Sequence, residues 1–349
     1  MTNTRVQALD VTRGIAVFGM IFMNFKISVL FDYNGGYSFL GSQEGRFGAL
    51  FIFLAGMGIS LMNRKAIDNP DLLKKNRIKL AKRALYLFTL GMIFSFYWQA
   101  DIFHFYAFYM LIAIPLIKLS KRALFSLAVI PPIIFLIFAL FGNWETGWNW
   151  ETLRYSGFYT IPGFFRNLAF NGFHPIFPWF SFMLMGMSVG KSDLTNKKQQ
   201  KINCMISAAV MFGCELVSGL SNIFLSSSEE LYLLSTRAMP PLPLFVISAG
   251  AQNILILNLI LLISAKTGSE SKIMKLLSET GKMVMTHYVL HLIIGLIPLF
   301  ILHQHFDFSN GFVLLYSVAY FIITVWLTSM WRKKFSHGPF EKLMRKLTD

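Results

Sequence analysis

Three polar side chains, Asp10, Arg13 and Asn24, lie in or beside an apolar stretch near the start of the chain. At 100° per residue, the interval from Arg13 to Asn24 turns a helix by about 1100°, roughly 20° from a whole number of turns. The two side chains therefore share one stripe, about 16 Å apart along the axis. Asp10 lies one turn before Arg13, on nearly the same side. Such a helix presents a cation near one membrane surface and an amide deep inside, which we expect to face protein or a cavity.

A carboxylate and an imidazole stand three residues apart further along, at Asp101 and His104. On a helix the two share a face, and a carboxylate beside an imidazole fixes its tautomer and raises its basicity. A general base needs both properties. Two interpretations stay open here: His104 is a general base, or it is a histidine solvated at the membrane surface.

Three further histidines lie near predicted helices. His174 precedes Pro175, where a turn or interface role is the commoner one. His287 and His291 are one helical turn apart, a spacing that suits a metal, but the same pattern supplies no third ligand. We therefore predict no metal site. Hydrogen bonding, or contact with a ligand entering from the cytoplasm, is the expected role of this pair, and it makes His287 a candidate cofactor contact.

The composition excludes an ordinary soluble domain. Of 349 residues, 55% are hydrophobic and only 14% are charged, whereas soluble chains carry about 25% charge. The net charge of +15 does not indicate nucleic acid, because the basic residues lie between apolar blocks rather than on one face. Cys204 and Cys214 share one apolar block without metal spacing, so we expect buried thiols.

Apolar blocks of membrane-span length, about 20 residues each, recur along the chain. They predict an all-α polytopic bundle of about ten transmembrane helices. The approximate bounds are 13–31, 47–63, 84–100, 102–117, 123–141, 176–190, 202–224, 241–265, 283–302 and 311–331. With both ends inside, 27 of the 32 Lys and Arg fall in inner segments. Because basic loops stay inside, we predict that both termini are cytoplasmic.

The connecting segments predict a single transmembrane domain over 1–349, with a basic cytoplasmic loop at 63–83 and a long outer loop at 142–175. The outer loop is rich in Trp, Phe, Tyr and Gly. Its aromatic rings form an interfacial belt, which is the interpretation we favour, or stack against sugar rings or acyl chains. Loops this long are usually functional or fold back onto the protein.

Within the spans, the small residues Gly186 and Gly190 predict close helix packing. We expect no acidic side chain at the middle of a span, which weighs against a proton-coupled carrier. No phosphate loop, dinucleotide fingerprint, nucleophile elbow or zinc motif occurs in the sequence. The candidates for chemistry are therefore the intramembrane polar groups.

The first helix resembles that of the transmembrane acyltransferase superfamily, which includes the family-three acyltransferases of bacterial surface sugars and the heparan-α-glucosaminide N-acetyltransferases. The shared pattern is R-x3-L-D-x2-R-G-x-A-x7-N, matched by Arg5, Leu9, Asp10, Arg13, Gly14, Ala16 and Asn24. Later motifs resemble the YeiB-like group of that superfamily: GRFGALFIFLAGMG (45–58), DIFHFYAFYMLIA (101–113), FHPIFPWFSFMLMGMSVG (173–190), GKMVMTHYVL (281–290) and GPFEKLMRKLT (338–348). The likeness runs nearly end to end.

The resemblance implies transfer of an acyl group, acetyl from cytoplasmic acetyl-CoA or another acyl-CoA, to an acceptor at or beyond the membrane. A carbohydrate, a glycolipid or a secreted small molecule is the expected acceptor, through O- or N-acylation. Arg13, paired with Asp10, then binds a CoA phosphate, and the pantetheine arm runs up the stripe to Asn24. The alternative role of Arg13 is a positive-inside anchor paired with Asp10.

The sequence departs from these families at the catalytic histidine. The family-three enzymes carry a histidine where this chain has Asn24, and the lumenal histidine of the heparan enzymes falls on Gly35. An amide cannot act as a general base, so we assign that role to His104, with His174 second. Asn24 then polarises the thioester carbonyl or orients the acceptor.

The resemblance, together with the apolar blocks, implies an integral, multi-pass protein of the bacterial cytoplasmic (inner) membrane that acts as an acyltransferase, with acyl-CoA, an acceptor and the lipid bilayer as partners. The alternative is a transporter or exporter that keeps the fold without the chemistry. The departure at Asn24 keeps this alternative open.

The distribution of Lys and Arg predicts the topology. Reporters fused after residues 75, 195 and 349 should report cytoplasm, because the adjoining segments are basic. A reporter after residue 150 should report the opposite side. A cytoplasmic signal at residue 150 would overturn the ten-span arrangement.

Overall fold

The computed structural model describes residues 3–30, 43–150, 152–224, 233–267 and 271–349, without the side chains of residues 3–6 and 222. Helices dominate the described residues, which confirms the all-α class. They are α1 Asn3–Leu30, α2 Arg46–Asn63, α3 Pro70–Phe94, α4 Phe103–Leu116, α5 Lys121–Leu127, α6 Ile130–Phe141, α7 Ile161–Arg166, α8 Ile176–Gly190, α9 Lys197–Phe224, α10 Pro243–Thr267, α11 Lys272–Gly281, α12 Val284–Leu290, α13 Ile297–His303, α14 Asn310–Arg332 and α15 Pro339–Thr348.

Two π-helical turns interrupt this pattern, π1 at Asn167–Asn171 and π2 at His291–Leu296. A short antiparallel hairpin pairs β1 Trp148–Asn149 with β2 Arg154–Tyr155. Within the described residues this hairpin is the whole of the β-sheet structure. The π turns matter below, because each adjoins a group of buried polar side chains.

Seven stretches of described helix are long and apolar enough to span a membrane. They are Gln7–Leu30, Arg46–Asn63, Lys121–Phe141, Lys197–Ser221, Pro243–Thr267, Val284–His303 and Asn310–Arg332. Two shorter apolar helices, α4 and α8, accompany them. The chain is therefore an integral, multi-pass membrane protein, while the count of ten and the side of each terminus stay predictions.

Helix α3 begins earlier than the sequence suggested. Asn69 accepts a hydrogen bond from the Leu72 backbone N–H, and Pro70 occupies the first turn, both usual signals of a helix start. Residues 70–83, expected to be loop, are therefore helical. The helix ends at Phe94, whereas the predicted span ran to residue 100.

Helix α9 contains an acidic residue that the sequence interpretation overlooked. Glu215 lies inside the predicted span 202–224, so the expectation of no acid at the middle of a span is wrong. Its carboxylate accepts hydrogen bonds from Ser248 Oγ at 2.7 Å and Thr236 Oγ1 at 2.9 Å. These hydroxyl donors lower the cost of holding a carboxylate among apolar helices.

The described residues form two compact units. The first joins Met1–Phe51, Leu194–Met205 and Ile254–Leu347; the second joins Ile52–Asp193, Ile206–Asn253 and Thr348–Asp349. In the first unit, α1 packs along α11 and against α14. In the second, α3 pairs with α4, and α8 packs against α5 and α6. The single domain over 1–349 stays a prediction.

Glycines set the closest helix approach in the second unit. A Cβ built on Gly186 of α8 would lie 1.9 Å from the Phe53 carbonyl oxygen of α2, and one on Gly56 would lie 2.1 Å from the Met183 carbonyl oxygen. Two backbones can approach this closely only where a glycine, which has no side chain, faces the other helix. The close packing expected at Gly186 is therefore present.

We predict that Gly186→Ala destabilises the protein by about 1–3 kcal/mol, the usual cost of overpacking a tight contact. The new methyl group meets a backbone oxygen, which cannot rotate away as a side chain can. Gly213→Ala in α9 is the matched control, since a Cβ there meets nothing within 4 Å. Thermal unfolding of both variants in detergent measures the difference, and equal melting temperatures would contradict this account of the crossing.

Candidate functional site

The described residues of 142–150 and 152–175 fold into a cap made of the β-hairpin, α7 and π1. Trp148 stacks on Trp150 with ring centroids 4.8 Å apart and meets the edge of Phe173 at 5.0 Å. Trp144 and Phe170 pack with Phe135 and Leu242 in one buried cluster. The rings therefore pack on one another and on neighbouring helices, which is more order than an interfacial belt requires.

Asn171 ties this cap together. Its side-chain amide nitrogen donates to the Trp144 and Thr146 carbonyl oxygens, each at 2.8 Å, and its oxygen accepts from Tyr155 Oη at 2.8 Å. Arg166 Nε donates to the same Tyr155 oxygen at 2.5 Å. The buried Asn171 amide thus joins the Trp144–Thr146 segment to Tyr155 of the β-hairpin.

Asp101 and His104 lie where α4 begins, as predicted from their spacing. Asp101 Oδ2 accepts the backbone N–H of Phe103 at 2.8 Å and lies 3.5 Å from His104 Nδ1. The carboxylate thus binds the first backbone N–H of the helix and faces the imidazole. Both side chains are fully buried. Gly91 of α3 permits this placement, because a Cβ there would lie 2.4 Å from the His104 backbone nitrogen.

The His104 ring packs among phenylalanines, with Phe105 at 3.9 Å and Phe158 at 5.6 Å between centroids. Neither ring nitrogen has a hydrogen-bond partner among the described residues. Leaving a buried donor or acceptor unpaired costs about 1–3 kcal/mol, so such a group calls for a functional explanation. The unpaired nitrogens leave His104 able to donate or accept a hydrogen bond with a ligand.

His174 and Asn167 adjoin the same place, and we call His104, His174 and Asn167 the histidine cluster. The Phe105 ring, in contact with His104, lies 6.1 Å from the His174 ring. A Cβ built on Gly172 would lie 2.6 Å from Phe105 Cζ and 2.8 Å from Asn167 Oδ1. Asn167 is buried, and its amide nitrogen and oxygen find no partner in the described chain. The cluster thus gathers unpaired polar atoms beside π1.

Burial lowers the pKa of His174 from 6.5 to about 3, and the neighbouring His104 imidazole adds to the effect. His174 is therefore neutral at physiological pH. Tyr109 Oη of α4 donates to the His174 carbonyl oxygen, which holds the cap against α4.

Asn24 meets a histidine that the sequence interpretation did not pair with it. Its Nδ2 lies 2.8 Å from Nε2 of His291, which is the first residue of π2. The predicted neighbour of His291, His287, turns elsewhere: its Nε2 lies 3.0 Å from Thr328 Oγ1, whose hydroxyl donates to the Thr324 carbonyl oxygen. The two rings therefore serve different contacts, and His287 is buried rather than open to a ligand.

Arg13 and Asp10 form an ion pair, with Nη1 and Oδ1 2.7 Å apart. Asp10 is buried, while the Arg13 side chain keeps 35% of its surface exposed. Gly14 and Gly281 bring α1 and α11 together here, since a Cβ on Gly281 would lie 1.7 Å from the Asp10 carbonyl oxygen. The pairing fits the anchor role, and the partly exposed side chain can also bind a phosphate.

Further charges surround this ion pair. Glu279 binds Lys282 at 2.8 Å and also contacts Arg332 Nε. Burial raises the pKa of Glu279, but the hydrogen bonds and charges of Lys282 and Arg332 outweigh it and hold the pKa below its usual range. The first unit thus carries Asp10, Arg13, Asn24 and His287, and the second carries Asp101, His104 and His174.

Two features of the site have no signal in the sequence: the Asn24–His291 contact and the buried Asn167 amide. Asn24 and His291 are 267 positions apart, and no local pattern joins them. Asn167 lies in an aromatic-rich segment that read as a loop. Gly35, where the heparan enzymes place their histidine, lies outside the described residues. No group of three metal-ligating side chains occurs in the part of the chain that the structure describes.

Comparison with known families decides what kind of protein this is. The family described as "Heparan-alpha-glucosaminide N-acetyltransferase, catalytic" matches residues 5–222. The chain belongs to this family. The family described as "Protein of unknown function (DUF418)" matches residues 189–349. Together the two matches confirm the resemblance to the YeiB-like group of the transmembrane acyltransferase superfamily.

A relative from Bacillus subtilis (strain 168), "Uncharacterized protein YxaH", is 23% identical over 406 residues, which cover 100% of this chain and 95% of the relative. The heparan-alpha-glucosaminide N-acetyltransferase match contains Arg13, Asn24 and the histidine cluster, whereas His287 and His291 lie in the second match. The chain is thus a member of a transmembrane acetyltransferase-like family.

Since folding holds His174 neutral, we predict that acid destabilises the protein through this residue. The unfolded chain protonates a histidine below about pH 6.5, so stability falls as the pH drops from 6.5 toward 3 and recovers as it rises. One such group contributes at most about 1.4 kcal/mol per pH unit.

Thermal melting at about pH 7 and about pH 5 measures this effect. His174→Gln should lose less stability than the wild type between the two conditions, and His305→Gln, which changes an exposed histidine, should behave as the wild type. If His174→Gln keeps the full loss, His174 is not the group that titrates.

Proposed function

We propose that this protein is a membrane acyltransferase of the bacterial cytoplasmic membrane. It moves an acyl group, acetyl in the first instance, from cytoplasmic acyl-CoA to a sugar, a glycolipid or a secreted small molecule. The observation that carries the proposal is the buried His104 imidazole, which faces Asp101 and has no hydrogen-bond partner among the described residues. Family membership supplies the reaction class.

His104 acts as the general base. It takes the proton from the acceptor hydroxyl or amine as that oxygen or nitrogen attacks the thioester carbonyl carbon. An ester or amide bond forms, the C–S bond breaks, and CoA leaves as a thiol once its sulfur takes up the proton. Asp101, whose Oδ2 lies 3.5 Å from Nδ1, stabilises through its charge the imidazolium that forms, as a carboxylate does beside a catalytic histidine. His174 is the second candidate for the base.

Arg13 and Asn24 serve the donor. The partly exposed Arg13 side chain binds a CoA phosphate while its ion pair with Asp10 keeps the guanidinium in position. Asn24 polarises the thioester carbonyl through an amide N–H, which stabilises the oxyanion of the tetrahedral intermediate. His287 lies one turn before His291 and is buried within the helix. We propose that it stabilises this helix and does not contact acyl-CoA directly.

A transporter or exporter on the same fold is the second candidate, and Glu215 favours it. An ionisable side chain inside a membrane span marks an ion or substrate pathway in many carriers. Here the Glu215 carboxylate already accepts two hydroxyl hydrogen bonds. A structural brace between α9 and α10 accounts for these contacts, so the enzyme remains the preferred proposal.

We predict that His104→Ala lowers turnover with labelled acetyl-CoA by at least about a hundredfold, the usual contribution of a positioned base. Acyl-CoA affinity should stay unchanged, because the base touches the acceptor and not the donor. His305→Gln serves as the control for loss of a histidine. If His174→Ala is inactive while His104→Ala turns over normally, the base has been assigned to the wrong residue.

We also predict that Arg13→Ala weakens acyl-CoA binding by roughly ten- to a hundredfold, since a charge-assisted hydrogen bond is worth about 1.5–3 kcal/mol. Arg13→Lys should restore part of the affinity, because it keeps the charge and loses the planar fork. Asn24→Ala should instead slow the chemical step with little change in affinity. Binding to monodisperse protein in detergent is the measurement, and unchanged affinity in Arg13→Ala would leave only the anchor role.

A further inference from the structure

The contact between Asn24 and His291 places an amide nitrogen against a ring nitrogen. An amide nitrogen donates hydrogen bonds and does not accept them. With Asn24 Nδ2 facing His291 Nε2 at 2.8 Å, the ring nitrogen must be the acceptor. The proton of the neutral imidazole then lies on Nδ1. Asn24 keeps its second N–H and its oxygen for another partner.

The two sides of this contact differ in burial. His291 is fully buried, while Asn24 is only half-buried. The His291 ring packs against the Tyr288 ring at 4.8 Å and the Phe25 ring at 6.0 Å between centroids. The imidazole therefore cannot reorient freely, whereas the amide it holds is the part that a ligand can reach.

The local helix geometry supports a specialised role. His291 is the first residue of π2, and single π turns inside helices occur frequently at functional sites. Tyr316 Oη donates to the Gly295 carbonyl oxygen at 2.9 Å, so a side chain from α14 holds this turn as well. The turn, the ring and the amide form one braced unit.

From these contacts we infer that His291 is a positioning residue for Asn24. By accepting one N–H of the amide, it prevents the amide from rotating and aims the second N–H at the carbonyl oxygen of the acyl donor. This inference rests on the role proposed for Asn24 in stabilising the oxyanion. It assigns His291 no proton transfer, because its Nε2 is occupied by Asn24.

Two substitutions separate positioning from acid–base chemistry. Gln carries a side-chain oxygen that can accept the Asn24 N–H, but it cannot act as a base; Phe keeps the ring volume and offers no acceptor. We expect His291→Phe to lower kcat by about tenfold or more, at most the roughly hundred- to thousandfold cost of losing an oxyanion donor. His291→Gln should recover most of that loss, and KM for acyl-CoA should stay constant in both.

A double-mutant cycle with Asn24→Ala tests whether His291 acts through Asn24. If it does, His291→Phe should cost little further in the Asn24→Ala background, because the amide it holds is gone. His305→Gln, an exposed histidine, is the control. Equal loss in the Phe and Gln variants, or full additivity in the cycle, would overturn the inference.

A measurement without turnover keeps this result apart from the proposed function. In protein labelled with ¹⁵N-histidine, the His291 signal, assigned by its loss in His291→Gln, should show the proton on Nδ1. It should change in Asn24→Ala and not in His305→Gln. If the wild type transfers no acyl group, the proposed function fails. The ¹⁵N spectrum still shows whether His291 contacts Asn24. A proton on Nε2 in the wild type contradicts the positioning role.

Discussion

A polar side chain in the hydrocarbon region of a membrane has no water to bind, so it must find a partner within the protein or serve a ligand. Most hydroxyl groups in these helices meet this constraint locally: Thr12 Oγ1 donates to the Ala8 carbonyl oxygen, and Ser317 Oγ to that of Val313. Asn24 meets it through His291. His104 has no partner among the described residues. A buried polar group without a partner is thus a candidate for binding a ligand.

Glycine and π turns determine where these groups lie. Gly91 lets α3 approach the start of α4, and Gly281 lets α11 approach α1, so Asp101, His104 and Asp10 occupy places that a side chain would block. The π turns adjoin Asn167 in one unit and His291 in the other. The positions of the polar groups thus follow from small residues and irregular helix turns, while the long apolar helices supply the frame.

The sequence was informative where hydrophobic blocks and local spacing carry the signal. The all-α membrane class, the closeness of Asp101 to His104 and the tight packing at Gly186 all followed from the length of the apolar blocks and from local spacing. The start of α3 at Pro70 was missed, because the basic composition of 63–83 outweighed the Asn–Pro signal. Glu215 was overlooked within an apolar block.

Contacts between distant residues could not be predicted in this way. The partner of Asn24 depends on how α1 packs against π2, which no local pattern encodes. The cap over 142–175 depends on Asn171 and on ring packing among residues that also suit an interfacial belt. In both cases tertiary packing selects one of several structures that the local sequence allows.

We propose that the protein joins an acyl group from CoA to an acceptor and does not simply move a solute. Sealed vesicles holding the purified protein, with residues 63–83 facing outward, test it directly. Labelled acetyl-CoA is supplied outside, and amino or hydroxyl sugars are supplied on either side. An acyltransferase should produce labelled acceptor together with an equal amount of free CoA outside, and both should be lost in His104→Ala. Passage of unmodified acceptor across the membrane, with no CoA released, would contradict it and favour the transporter.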